Sequence, residues 1–169
     1  MAVIKSLRGF NPQIHETVFL AENATLIGNV TIQKNSSVWY QTVLRGDVMP
    51  IQVGEHTNIQ DGTIIHGTYE KWGTTIGSRV TIGHQVVLHG TTIEDLCLIG
   101  MGSVLMDGSH IGKNSIVGAG SLVTEGSKFP PGSLILGRPA RLIRPLTEEE
   151  ISFLPKSAAN YDFYVGWYR

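Results

Sequence analysis

Aliphatic residues recur at every sixth position along most of this chain, and few backbone conformations satisfy that period. The series runs Ile14, Leu20, Leu26, Ile32, Val38 and Leu44. It slips by three and resumes at Val53, Ile59 and Ile65. After a longer break come Ile76, Ile82 and Leu88, then Ile93, Ile99, Leu105, Ile111, Val117, Val123, Phe129 and Ile135. A helix repeats about every 3.6 residues, and a hairpin meander turns about every 8–12. A period of six fits neither. It fits a short straight strand followed by a turn of about 120°, so that three hexapeptides close a triangular coil of roughly 18 residues. Successive coils then pair as parallel strands ~4.8 Å apart. Alternate side chains of a strand point in and out. The repeated aliphatic, the anchor, therefore faces the axis, as does the residue two before it. Cys97 holds that second position ahead of Ile99, which predicts a buried, inert thiol.

Composition narrows the function classes. Glycine makes up 20 of the 169 residues, well above the ~7% average, and suggests tight corners at regular intervals. It often follows an anchor directly, as in Ile82-Gly83 and Ile99-Gly100. Thirteen Lys and Arg against 14 Asp and Glu leave a net charge of −1, which rules out a basic nucleic-acid footprint. A chain that is 41% hydrophobic and only 16% charged is not disordered. No apolar run approaches the ~18 residues of a membrane span. Residues Met1 to Phe10 lack a cleavable apolar stretch, so the sequence reads as cytoplasmic. A single cysteine excludes an intrachain disulfide and any Cys-rich metal site.

Residues 1–146 are expected to form the β-helix domain, whose repeat stops at Gly137-Arg138-Pro139-Ala140-Arg141. Residues 147–169 are expected to form a helical segment packing on it. Thr147 followed by Glu148, Glu149 and Glu150 reads as a capping box. Ile151, Leu154, Ala158, Tyr161 and Val165 mark one apolar face. Pro155 is expected to break the segment into two helices.

Of the six histidines, His15, His56 and His110 show no mutual register and read as surface residues. Ile65 and Leu88 are three faces apart, hence on the same face one coil apart. His66 and His89 each follow their anchor, so both point outward and stack at ~4.8 Å. Two imidazoles so placed can chelate one ion outside the aliphatic core. His84, two past Ile82, sits on the previous face and points away from that pair within its own chain. A threefold assembly of prisms brings one chain's corner against the neighbour's adjacent face. Three neutral imidazoles with an open fourth position make a catalytic zinc arrangement. The same counting puts Arg45 one coil below His66, and Asp61 directly below His84. A neighbour's Asp61 should then meet Arg45, either as a structural salt bridge or as part of the site. Asp47 and Asn58 point outward nearby. An outward Gln60 amide can orient water beside the open position.

The segments Arg45-Gly46-Asp47, Asn58-Ile59-Gln60-Asp61-Gly62, His66 and Gly83-His84 with His89 resemble the γ-class carbonic anhydrase family. More broadly, residues 11–137 resemble hexapeptide-repeat proteins, whose fold is a left-handed parallel β-helix; the left hand is an implication of the resemblance. The resemblance implies a homotrimer with zinc, or iron or cobalt, held by His66 and His89 of one subunit and His84 of the next. It further implies that Gln60 contacts metal-bound water, that Asn58 orients the site and that Arg45 and Asp61 pair between subunits. Tyr161 either reaches this site or only packs the helix. The implied reaction is attack of metal-bound hydroxide on carbon dioxide, giving bicarbonate. The family's founding archaeal enzyme carries acidic residues for proton exit. Here Val48 stands at one such position, and the insertion after His66 holds one carboxylate, Glu70. Two alternatives share the prism. One is a hexapeptide-repeat acyltransferase using acyl-coenzyme A and a single His base, matched by Gly137 to Arg141. The other is a non-catalytic trimeric metal-binding scaffold.

Overall fold

The computed structural model describes all residues, Met1–Arg169. The hexapeptides wind into a parallel β-solenoid of about seven turns with one C-terminal helix. Face I stacks the strands of Leu26, Leu44, Ile65, Leu88, Leu105 and Val123. Face II carries the anchors Ile32, Val53, Ile76, Ile93 and Ile111, and face III those of Val38, Ile59, Ile82, Ile99 and Val117. Two long strands, Thr25–Ile32 and Val43–Val53, run from face I around into face II and join the two in one sheet.

The anchors fill the axis. From Leu26 to Ile135 every one is buried except Phe129, which with Ile14 and Leu20 packs half-buried against the same core. Each buried Leu or Ile contributes roughly 1.5–3 kcal/mol of transfer free energy. Thr and Ser dominate the second inward position, with Val30, Ile51, Val80 and Val86 taking it in the early coils. The Thr and Ser hydroxyls donate to carbonyls of the adjoining coil, as Thr63 Oγ1 does to Gly83 O at 3.0 Å. No buried side-chain polar atom is left without a partner. Cys97 shares this inward row, and burial pushes its thiol up to about 12.

Glycine serves two separate purposes. The left-handed corner residue lies three before the anchor, and Gln85 or Asn114 takes it as readily as Gly62. The glycines that follow anchors instead admit the next coil. A Cβ on Gly83 would stand 2.7 Å from the Met101 amide nitrogen.

Both ends extend past the repeat. Val3–Lys5 pairs in parallel with Thr25–Ile27 on face I, ahead of the first recognisable hexapeptide. After Ser133–Gly137 the chain reverses, and Ala140–Pro145 pairs antiparallel with it, so the last face III strand gains a partner along its open edge.

The helix spans Glu148–Val165 in one piece, so Pro155 does not divide it. Pro155 itself lies on the exposed side of the helix. Leu154, Ala158 and Val165 are buried on both sides of the proline, and their packing holds the helix continuous. The capping box is formed: Thr147 Oγ1 accepts from the Glu150 amide at 3.2 Å, and Glu150 accepts from the Thr147 amide at 2.8 Å. Arg144 donates twice to Glu150; its guanidinium and the cap bonds hold the Glu150 carboxyl down at about 2. The helix lies against face III. Ser157 Oγ is 3.1 Å from Thr81 Oγ1, and Tyr161 meets Trp39 edge-on at 5.4 Å between centroids. His56 is more than a surface residue: its Nδ1 faces Asp162 of the helix at 2.8 Å. The helix is too polar to cross a membrane.

Candidate metal centre

His66 and His89 are register partners on adjacent strands of face I, with ring centroids 5.2 Å apart. The inter-strand spacing alone dictates that stack. His66 Nδ1 faces His89 Nε2 at 3.2 Å. Two nitrogens bound at ~2.05 Å to a tetrahedral ion stand ~3.4 Å apart, so this pair matches one edge of such a site. The outer nitrogens are taken. His66 Nε2 faces Asp47 Oδ1, and His89 Nδ1 faces Asp107 Oδ1, each at 2.8 Å. A carboxylate only accepts, so these two nitrogens are the donors and the facing pair is left for an ion.

The carboxylates are held in turn. Arg45 donates to Asp47, and Thr68 Oγ1 donates to Asp107 Oδ2 at 2.6 Å. Partial burial works to raise the Asp47 carboxyl, but hydrogen bonds from His66 and Arg45 outweigh it and hold the carboxyl below its ordinary value. Asp107 is lowered in the same manner, with Thr68 and His89 overcoming burial.

On face III, His84 Nδ1 faces Asp61 Oδ2 at 2.8 Å, which leaves Nε2 for another partner. Face counting placed Asp61 below His84, and they are in contact. Within one chain no three His, Cys, Asp or Glu side chains converge on a common point. His84 stands apart from the face I pair. Arg45 and Asp61 are likewise separate here, each bonded within its own face.

Asn58 and Gln60 are both buried on face III. Gln60 Nε2 donates to Asn58 Oδ1 at 3.0 Å, and Asn58 Nδ2 donates to Thr81 Oγ1 at 3.1 Å. Because Thr81 also meets Ser157, the helix fixes the Gln60 amide through a relay of side chains. Tyr161 packs on Trp39 and lines a cavity of ≈190 Å³ with Asp61, Tyr40 and Tyr164. Burial pushes its hydroxyl up to about 12, so it stays protonated at neutral pH. Glu70, the carboxylate of the insertion, shares a cleft of ≈300 Å³ with Asp47, Arg8, Val48 and Tyr69.

Two residues escaped the sequence reading. Asp107 lies two past anchor Leu105, one coil above His89, and the same counting would have reached it. Thr68 lies in the insertion, where no period guides the eye. His15 and His110 bond to Thr17 and Glu94, and neither meets a second histidine.

Comparison with known proteins bears on the family and the fold. A family model described as bacterial transferase hexapeptide (six repeats) matches residues 90–125. The chain is 48% identical over 148 residues to a probable carbonic anhydrase of Methanocaldococcus jannaschii, covering 88% of this chain and 92% of that protein. It is 45% identical to a carbonic anhydrase of Geobacillus kaustophilus, covering 94% of this chain and 87% of the relative. It is 46% identical to the mitochondrial gamma carbonic anhydrase 1 of Arabidopsis thaliana over 89% of this chain, but spans only 56% of that protein's length. Among solved structures, a hexapeptide transferase family protein from Anaplasma phagocytophilum superposes with a TM-score of 0.95 at 47% identity, covering 99% of this chain and 98% of that one. A Bacillus cereus protein described as a putative acetyltransferase gives 0.95 at 38% identity, covering 98% and 96%.

Proposed function

This chain belongs to the γ-class carbonic anhydrase family of hexapeptide-repeat proteins, and on that premise we propose that it is a metal-dependent enzyme for the reversible hydration of carbon dioxide to bicarbonate. The observation that carries the reading is the facing of His66 Nδ1 and His89 Nε2 at 3.2 Å, with both outer nitrogens held by carboxylates. In this reading His84 Nε2 of a neighbouring copy supplies the third ligand, in a homotrimer with a site at each interface. Zinc suits three neutral imidazoles, and iron or cobalt takes the same donors. A divalent ion there supplies the Lewis acidity that lowers the pKa of water toward about 7, which hydration of carbon dioxide requires.

The chain's own residues do the rest. Asp47, Asp107 and Asp61 each hold one ring nitrogen of a ligand, so the ring turns its other nitrogen outward. Asn58 fixes the Gln60 amide, which orients the attacking water and the bicarbonate product by hydrogen bonding. Arg45 meets the neighbour's Asp61 and locks the interface. Tyr161, protonated and beside Asp61, closes the helix side of the site. Acyl transfer needs one histidine base; the paired imidazoles favour a metal instead.

Metal analysis of anaerobically purified protein, followed by a carbon dioxide hydration assay, tests the reading. The expected result is about one ion per chain, with hydration lost on chelation and restored by zinc, iron or cobalt. Absence of bound metal, together with binding of coenzyme A, would sink it in favour of acyl transfer. Metal without hydration under any of the three ions would leave a scaffold.

A further inference from the structure

The insertion from Gly67 to Gly73 interrupts the repeat, yet it is not a free loop. Thr68 and Trp72 exchange backbone hydrogen bonds at 2.9 and 3.0 Å and close it on itself. Trp72 packs onto two glycines of the coils above. A Cβ on Gly108 would lie 3.0 Å from its ring, and one on Gly90 would lie 2.6 Å from its Cβ. At the loop's exit, Thr74 Oγ1 donates to the His66 carbonyl at 2.6 Å and accepts from the Gly90 amide at 3.0 Å. One hydroxyl thus ties the backbones that carry both histidines.

The loop's entry reaches the histidine pair directly. Thr68 Oγ1 donates to Asp107 Oδ2 at 2.6 Å, and Asp107 Oδ1 faces His89 Nδ1 at 2.8 Å. A side chain at Gly90 would also run into the Asp107 carboxylate, so the glycine keeps this approach open. The insertion, one coil below, therefore grips a carboxylate one coil above the ligand it supports.

We propose that Asp107 and Thr68 are a positioning pair for metal binding: Thr68 clamps one carboxylate oxygen so that the other keeps the proton on His89 Nδ1 and turns Nε2 toward the ion. The inference rests on the metal reading above. A neutral imidazole has one N–H and one lone pair, and the partner of the first nitrogen decides which nitrogen can ligate. Without the carboxylate, the His89 ring is free to rotate and to carry its proton on either nitrogen. Without Thr68, the carboxylate loses the donor that fixes its plane. Removing such an outer partner typically weakens metal affinity by about 10–100-fold.

The test uses the full chain with nitrogen-15-labelled histidine, and reads two quantities. The first is the imidazole N–H pattern of metal-free protein by NMR. The second is the dissociation constant for cobalt. Wild type is expected to show a proton on His89 Nδ1. Asp107→Leu should spread the proton over both nitrogens and bind cobalt about 10–100-fold more weakly. Asp107→Asn keeps an oxygen acceptor of the same shape, so it should keep the Nδ1 proton and stay within about tenfold of wild type. Thr68→Val, which leaves the carboxylate in place, should fall between, and it decides the matter if Asp107→Leu does not fold. The proposal is overturned if wild-type His89 carries its proton on Nε2 alone, if Asp107→Leu keeps the proton on Nδ1 as fully as wild type, or if Asn and Leu weaken cobalt equally. If the proton pattern follows expectation while wild type binds no cobalt, the positioning pair stands and the metal reading fails.

Discussion

A shared site makes a prediction that a site within one chain cannot. His66→Ala removes one ligand of the face I pair, and His84→Ala removes the ligand on face III. Each homotrimer then lacks a ligand at every interface and binds metal poorly. A His66→Ala chain still offers His84, and a His84→Ala chain still offers the pair that faces at 3.2 Å. Co-refolded trimers containing both kinds form a closed ring of three. Around any such ring, a His84→Ala chain is followed once by a His66→Ala chain, and that interface alone has all three ligands. Each mixed trimer therefore regains about one site in three. With equal amounts and random assembly about three-quarters of trimers are mixed, so the pool recovers about a quarter of the wild-type metal. The assay is metal per chain after gel filtration and removal of loose ions, against each parent treated alike. The separation of His84 from the pair within one chain motivates the number. A pool no richer in metal than its parents would refute the shared site, even if the three ligands are the right ones.

Arg45→Ala should weaken trimer assembly while leaving the solenoid folded, since the Arg45 guanidinium pairs with Asp47 at the surface and not with the core. Sedimentation at sub-micromolar concentration reads this, and a variant as trimeric as wild type would place the Arg45–Asp61 pair outside the interface. Leu88 is fully buried beneath His89, so Leu88→Ala should cost ~2–5 kcal/mol in urea unfolding, and Leu88→Met less than ~1.5 kcal/mol. Equal losses would mean that the core yields around the gap. The Glu150 carboxyl is held down at about 2 by Arg144 and the cap, below the ordinary glutamate value of about 4.3. A lowered folded value makes its contribution complete above the unfolded value and lost as pH falls toward about 2. The Thr147–Glu150 cap should loosen across that window by amide exchange, and Glu150→Gln should flatten the pH dependence.

Much of this molecule was legible without coordinates because a solenoid converts sequence distance into spatial distance almost linearly. Each anchor pairs with the residue one coil on, so Ile65 over Leu44 and His89 over His66 follow from counting. The isolation of His84 on another face, and its contact with Asp61, follow from the same count. Counting fails wherever the chain leaves the period. The insertion returns to the coil through Trp72 and Thr68, contacts that depend on where a seven-residue excursion lands and not on its length. The strand Val3–Lys5 carries no anchor pattern because it is exposed, and backbone hydrogen bonds place it instead. Local rules misjudged Pro155, since a proline's cost to an isolated helix is outweighed when packed residues on both sides bind the helix to a sheet. His56 carried no signal of its own partner, because Asp162 lies 106 residues away on an element outside the repeat. Periodicity thus determined the faces, the stacked imidazoles and the carboxylates within reach of them. Only the folded chain decided that Thr68 of the insertion grips Asp107 and that the helix meets Thr81 and His56, because those contacts join loop or helix to the coils through side-chain reach, which no repeat encodes.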